Sequence, residues 1–136
     1  MLTNKQDSTR YLIVDETDSS FILDVYNFLV TELGIKGVEC FNDFKLTISK
    51  EADDLIVPHI YVSISPDDSP AKLTGVVVGA YIKTTNIGIL LYSAVHNSAR
   101  RRGIYSNLKS CMLEQLNSDS RENKYTQGGY KFIDYL

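Results

Sequence analysis

Cysteine is scarce in this chain. The two present, Cys40 and Cys111, lie far apart and fall in no spacing that suggests a disulfide framework or a paired metal site. Two reduced thiols are expected, and no metal ligand set is assigned. Long apolar runs are missing as well. Nothing approaches the ~18 consecutive apolar residues of a membrane span. The polar stretch Met1–Arg10 holds no apolar leader core, so the expectation is a cytoplasmic protein without membrane contact. Positive charge is not in excess. The net charge of −3 leaves no general field to recruit nucleic acid. Internal repeats and low-complexity tracts are absent from the pattern.

What is there suits one α+β domain. With 136 residues, 43% hydrophobic and 23% charged, the chain can build a core without metal or disulfide staples. A single domain over residues 1–136 is expected, with 1–9 flexible at its start. Tyr11–Val14 reads as a short first strand. Asp18, Ser19 and Ser20 offer cap chemistry before Phe21. Phe21, Val25, Phe28, Leu29 and Leu33 recur at helical spacing, so Ser20–Leu33 reads as an amphipathic helix that stops at Gly34. Val38–Lys50 mixes a helical stripe with a strand-like alternation and is read as a second helix. Leu55–Ser65, Leu73–Lys83 and Ile87–Val95 are β-rich runs at short spacing, an antiparallel meander. Pro58 suggests an edge or a strand start. Then the period changes: Ile104, Leu108, Cys111, Met112 and Leu116 make Gly103–Leu116 an amphipathic helix. Asn117–Gly129 reads as loop and Tyr130–Leu136 as a terminal strand.

The charge, though acidic overall, is pooled at one place. Arg100, Arg101 and Arg102 form the one tight basic cluster, between a strand and a helix start. The first N–H groups of a helix have no partners within it, and its dipole favours negative charge there. A basic turn feeding such a start is a phosphate cradle. Gly103 fits this because a side chain would block close approach of a phosphate to the main chain. The bland alternative is a solvated charged turn with an ordinary turn glycine.

The segment Val95-His96-Asn97-Ser98-Ala99-Arg100-Arg101-Arg102-Gly103-Ile104-Tyr105-Ser106-Asn107-Leu108 resembles the acetyl-CoA signature of the GNAT superfamily of N-acetyltransferases, Val-x-Pro-x-x-Arg-x-x-Gly-[Ile/Leu]-[Gly/Ala]-x-x-Leu. Val95, Arg100, Gly103, Ile104 and Leu108 hold the register. Asn97 replaces the proline, and Tyr105 replaces a small residue beside the phosphates. The resemblance implies a three-layer fold, a mostly antiparallel central sheet flanked by helices. It implies acetyl-CoA as acyl donor, a pyrophosphate on the amides of Arg101, Arg102, Gly103, Ile104, Tyr105 and Ser106, and a pantetheine arm pairing with the strand edge at Ala94 and Val95. Arg100 would add charge beside them.

The catalytic groups are not assigned. In that family a carboxylate or water string near the central strand serves as base, and a tyrosine after the fifth strand serves as acid. Ile87–Val95 holds neither carboxylate nor histidine; Tyr92 and Ser93 alone could exchange protons. Tyr92 reads more readily as packing, His96 as an exposed turn residue, Cys111 as core, and His59 sits in no pattern. Tyr125, Tyr130 and Tyr135 are candidate acids without assignment. The chain is also short for the family. Its last strand is either the fifth strand or a late one with intervening elements deleted, and an exposed sheet edge would invite a homodimer.

The expected function is acetyl-CoA-dependent transfer of an acetyl group to a primary amine of a small molecule or peptide. The alternative is a non-catalytic acetyl-CoA- or CoA-binding, or protein-interaction, domain of the same fold. Nucleic acid is not an expected partner: no aromatic or further basic residues flank the arginines.

Overall fold

The computed structural model describes residues 9–14, 18–49, 54–67, 72–123 and, as backbone, 131–134. Strand β1 is Arg10–Ile13, helix α1 Ser19–Leu33 and helix α2 Phe41–Thr47. Strands β2 (Ile56–Ser65), β3 (Lys72–Ile82) and β4 (Ile87–Val95) follow, then helix α3 (Ile104–Glu122) and strand β5 (Lys131–Asp134). The five strands form one sheet in the order β1-β2-β3-β4-β5. Neighbours are antiparallel through β4, whereas β5 runs parallel to β4, with Ile87 opposite Lys131 and Leu90 opposite Asp134. A strand placed beside β4 directly after α3 matches the fifth-strand placement.

β3 is the middle strand, and its sequence says so. Val76, Val77 and Val78 are consecutive and all fully buried, as expected where both faces of a strand are covered. On one face Ile60, Val62, Val76, Val78 and Ala94 pack against Ile22, Val25 and Leu29 of α1 and Phe44 of α2. On the other, Val77, Tyr81 and Leu90 pack against Ile104, Leu108, Met112 and Leu116 of α3. The result is an α+β sheet sandwiched between helices, as expected. Pro58 lies in β2 beyond the stretch Tyr61–Ile64 that β1 covers, so its missing N–H leaves no ladder bond unmade.

The helices start and stop for local reasons. Asp18 caps α1, its carboxylate accepting from the Phe21 N–H at 3.1 Å. Gly34, at φ +83°, ends it. The ambiguous segment Val38–Lys50 yields only the short α2.

The loop expected over Asn117–Gly129 is corrected in its first part, because α3 continues to Glu122. The apolar stripe of Ile104, Leu108, Met112 and Leu116 runs on into Ser120, which is equally buried. Polar bonds replace hydrophobic burial there. Ser120 Oγ donates to Asn86 Oδ1 at 2.9 Å. Asn123 Nδ2 reaches the Tyr81 hydroxyl and the Lys83 carbonyl. Buried polar groups satisfied in this way hold a helix end down as apolar ones would.

Candidate functional site

The site begins where β4 runs out. The His96 N–H bonds the Thr74 carbonyl at 2.9 Å, the last link to β3. A 3-10 turn, Asn97–Ala99, follows in place of the proline-stiffened turn, with Ala99 buried beneath it. Arg100 Nε donates to the Val95 carbonyl at 3.3 Å, tying the turn to the strand end. Arg101 then takes φ +69° and Gly103 φ +73°. Main chain that alternates its hand in this way gathers N–H groups into an anion-binding concavity. Holding a non-glycine residue such as Arg101 left-handed costs on the order of 1–2 kcal/mol. Such strain concentrates at functional positions.

The main-chain N–H groups from Arg101 to Ser106 bond no described residue, and α3 has no side-chain cap. Above Gly103 there is open space: a Cβ built there meets nothing within 4 Å. Tyr105, whose bulk threatened the cradle, is 36% exposed and turns along the helix so that Lys109 Nζ lies 5.9 Å from its ring centroid. Arg100, Arg101 and Arg102 are exposed, and no carboxylate among the described residues pairs with them.

Why α3 starts there follows from β3. A Cβ on Gly75 would come within 3.0 Å of Ile104 and Leu108, and one on Gly79 within 2.9 Å of Met112. The two glycines thus form a trough that seats the apolar stripe of α3 and sets its first turn beside the end of β4.

β4 supplies the second part. Its register with β3 slips between Val78 and Gly79, so Leu91 is an extra residue on β4. The bulge bends the strand and re-aims its main chain. β5 pairs with β4 only from Ile87 to Leu90. From Leu91 to Val95 the outer edge of β4 meets no strand among the described residues. At ~3.3 Å per residue this leaves about 13 Å of edge running from the bulge to the arginine turn. Ala94 is buried on the α1 face and Val95 half-buried on the α3 face, so what they offer at that edge is main chain.

A third group lies on the α1 and α2 side of the bulge. The Tyr92 hydroxyl donates to Glu39 Oε1 at 3.2 Å and accepts from the Glu39 N–H at 3.5 Å. The Tyr26 hydroxyl donates to the Glu39 carbonyl at 2.9 Å. The Phe44 ring stacks with Tyr92 at 6.0 Å and meets Tyr26 edge-on at 5.4 Å. Burial raises the Tyr92 pKa above its ordinary value, the Glu39 N–H bond opposing this in part, and the phenol stays protonated at neutral pH. The packing role expected of Tyr92 holds, with a hydrogen-bonding role added to it.

The remaining candidates are placed as follows. His96 is exposed, as expected, but its Nδ1 lies 2.6 Å from Glu32 Oε1. His59 is buried on the α3 face with Nε2 2.6 Å from Asp119 Oδ2. Gln115 donates to Asp119 Oδ1 and accepts from the Tyr61 hydroxyl, completing a chain from β2 to α3. Cys111 is half-buried, and burial, followed by Glu114, raises its pKa, so the thiol is not an activated nucleophile. Tyr125, Tyr130 and Tyr135 lie outside the described residues. No cluster of potential metal ligands occurs among those described, and none of their helices is long and apolar enough to cross a membrane.

No family model and no curated protein sequence matches the chain. Solved structures do. An aminoglycoside acetyltransferase from an uncultured soil metagenomic sample, in complex with trehalose, superposes with a TM-score of 0.66 at 10% identity, over 94% of this chain and 77% of that one. A GNAT-family acetyltransferase of Staphylococcus aureus gives 0.61 at 13%, over 82% and 68%. A predicted acetyltransferase with acetyl-CoA from Clostridium acetobutylicum gives 0.54 at 17%, over 94% and 80%. At such identities the likeness establishes architecture: the chain has the fold of the GNAT acetyltransferases.

Proposed function

We propose that this chain is an acetyl-CoA-dependent N-acetyltransferase acting on a primary amine. One observation carries the reading: the main-chain amides from Arg101 to Ser106, which bond no described residue, lie under a basic turn and an open space at Gly103, at one end of a β4 edge that no strand covers among the described residues. A diphosphate suits the first feature and an amide-bearing chain the second. The residues fit the donor that the fold family uses. Bound there, acetyl-CoA supplies a thioester whose acetyl group passes to the amine nitrogen.

The protein's own part divides along β4. Amides of Arg101, Arg102, Gly103, Ile104, Tyr105 and Ser106 hold the pyrophosphate, and Arg100, Arg101 and Arg102 add charge around it. The edge at Ala94 and Val95 aligns the pantetheine arm. The bulge at Leu91 would supply a main-chain N–H to the thioester carbonyl, where developing negative charge needs a donor already in place. Transfer forms a C–N bond and breaks the C–S bond; the amine gives up a proton and the departing thiolate gains one. A cytoplasmic setting and a homodimer through a sheet edge belong to the same reading.

Titration of the protein with CoA in a thermal-shift assay tests the donor site. At a CoA concentration near 100 times Kd, stability should rise by about 2.7 kcal/mol. Absence of any shift at millimolar CoA rejects the assignment. Release of free thiol from acetyl-CoA in the presence of amines then separates an enzyme from a CoA-binding domain.

A further inference from the structure

We propose that the Glu39 carboxylate, clamped against β4 by Tyr92, receives the acceptor as an ammonium ion, so that the substrates are cationic amines carrying an apolar or aromatic body. The inference rests on the acetyl-transfer reading of the same site.

Position is the first argument. Glu39 lies in the link between α1 and α2, far from the arginine turn in sequence, yet it bonds Tyr92, the residue directly after the bulge at Leu91. That is the opposite end of the open β4 edge from the phosphate seat. A donor lying along the edge would bring its reactive end to this level.

Charge is the second. Glu39 is half-buried, and its one side-chain partner among the described residues is the neutral Tyr92 phenol. The close histidine–carboxylate contacts lie elsewhere, His59 with Asp119 and His96 with Glu32, and neither involves Glu39. A half-buried carboxylate whose one side-chain donor is neutral keeps its full charge to offer, and a cation meeting its open oxygen forms a charge-assisted bond there. The clamp itself orients the group. Tyr92 fixes both the N–H and Oε1 of Glu39, Tyr26 fixes its carbonyl, and Oε2 is left without a partner among the described residues.

Surroundings are the third. The half-buried Tyr92 bonds the carboxylate, the half-buried Tyr26 bonds the main-chain carbonyl of the same residue, and Phe44 packs against both rings. Aromatic faces attract an ammonium and also pack an apolar body. Lys45 of α2 sits over the Phe41 ring at 5.4 Å and forms no salt bridge with Glu39 among the described residues.

Calorimetry in the presence of saturating CoA tests the idea on the unaltered protein, with phenethylamine as the cationic probe and 2-phenylethanol as its neutral counterpart. The amine should bind tenfold or more tightly than the alcohol at neutral pH, the expected scale for a charge-assisted bond. Glu39→Gln should remove this preference and raise the KM for phenethylamine by a similar factor, while the Kd for CoA stays within twofold. Asp24→Asn, which removes a carboxylate from the exposed face of α1, should change neither. Intact CoA binding with equal affinity for amine and alcohol overturns the acceptor inference and leaves the donor site standing. Intact CoA binding with a folded Glu39→Gln protein that keeps the amine preference does the same. Failure of the unaltered protein to bind CoA removes the donor reading, and this inference with it.

Discussion

Substitution of Gly103 separates the folding role of this residue from its proposed role in binding. Gly103 sits at φ +73° with no atom within 4 Å of where a Cβ would stand, so the folded protein resists alanine there only through the backbone. An L-residue in the left-handed region costs about 1–2 kcal/mol. Loss of glycine's freedom in the unfolded chain returns roughly 0.4–1 kcal/mol. Gly103→Ala should therefore destabilise by about 1 kcal/mol, which for a chain of this length lowers Tm by about 3–4 °C. Gly103→Asn should cost less, because asparagine enters the left-handed region more readily. CoA affinity should not follow this order. Any Cβ projects into the space where a phosphate would approach, and losing even one charge-assisted bond costs about 1.5–3 kcal/mol, at least tenfold in Kd. Both variants should thus bind CoA at least tenfold more weakly in calorimetry, although one is nearly as stable as the parent. If both bind CoA as the parent does, the amides at the start of α3 are not the phosphate seat.

Other outcomes follow from neighbouring features. Replacing Arg100, Arg101 and Arg102 by alanine should weaken CoA binding and flatten its dependence on salt in titrations at two ionic strengths, since these exposed side chains act at screened range. Leu108→Ala, at a fully buried position one turn into α3, should lower stability by about 2–5 kcal/mol in urea unfolding. Asp119→Ala should cost about 1–3 kcal/mol in the same assay by stranding the buried His59, and Asp119→Asn should cost less. Alkali should also destabilise. The folded-state pKa values of Cys111, Tyr61 and Tyr92 are raised, chiefly by burial, above ordinary values of 9.0 for the thiol and 10.0 for the phenols. Their contribution is complete below those values and is lost as pH rises through the raised ones, so the urea midpoint should fall above about pH 9. Tyr61→Phe combined with Tyr92→Phe should shallow that fall.

The turn proposed to seat the donor was legible as a strand-to-helix turn because its pattern is local. A strand, a basic turn, a glycine and a helix start are consecutive in sequence, and a turn's geometry depends on its own residues. The meander was legible for the same reason, through short connections between β-rich runs. The Val76–Val78 run even marked the strand with both faces covered. β5 is a different case. A short apolar run cannot announce whether it pairs parallel or antiparallel, because the direction depends on where α3 returns the chain.

The Glu39–Tyr92 cluster proposed to receive the acceptor was not legible because each of its contacts joins distant segments. Glu39 and Tyr92 belong to a helix link and a bulged strand, and neither position carries a motif. The bulge that sets Tyr92 on the α1 face is itself invisible to alternation counting, which assumes an unbroken period of two. The miss at Asn117–Glu122 has a related cause and is instructive about method. Hydropathy treats Asp119, Ser120 and Asn123 as solvent-facing, so a helix whose last turns are held by polar bonds looks finished too early. One signal could have corrected it. Period two places Val57, His59 and Tyr61 on one face of β2, and helical spacing places Met112, Gln115 and Asp119 on neighbouring positions of α3. A histidine within an apolar strand face needs a hydrogen-bond partner, and a carboxylate continuing the phase of a buried helical stripe is the natural one. Demanding a partner for each polar residue at a core phase would have extended α3 past Leu116. Glu39 lies in a link outside any such phase; its one side-chain partner among the described residues is the Tyr92 phenol, and only the folded chain shows that pairing.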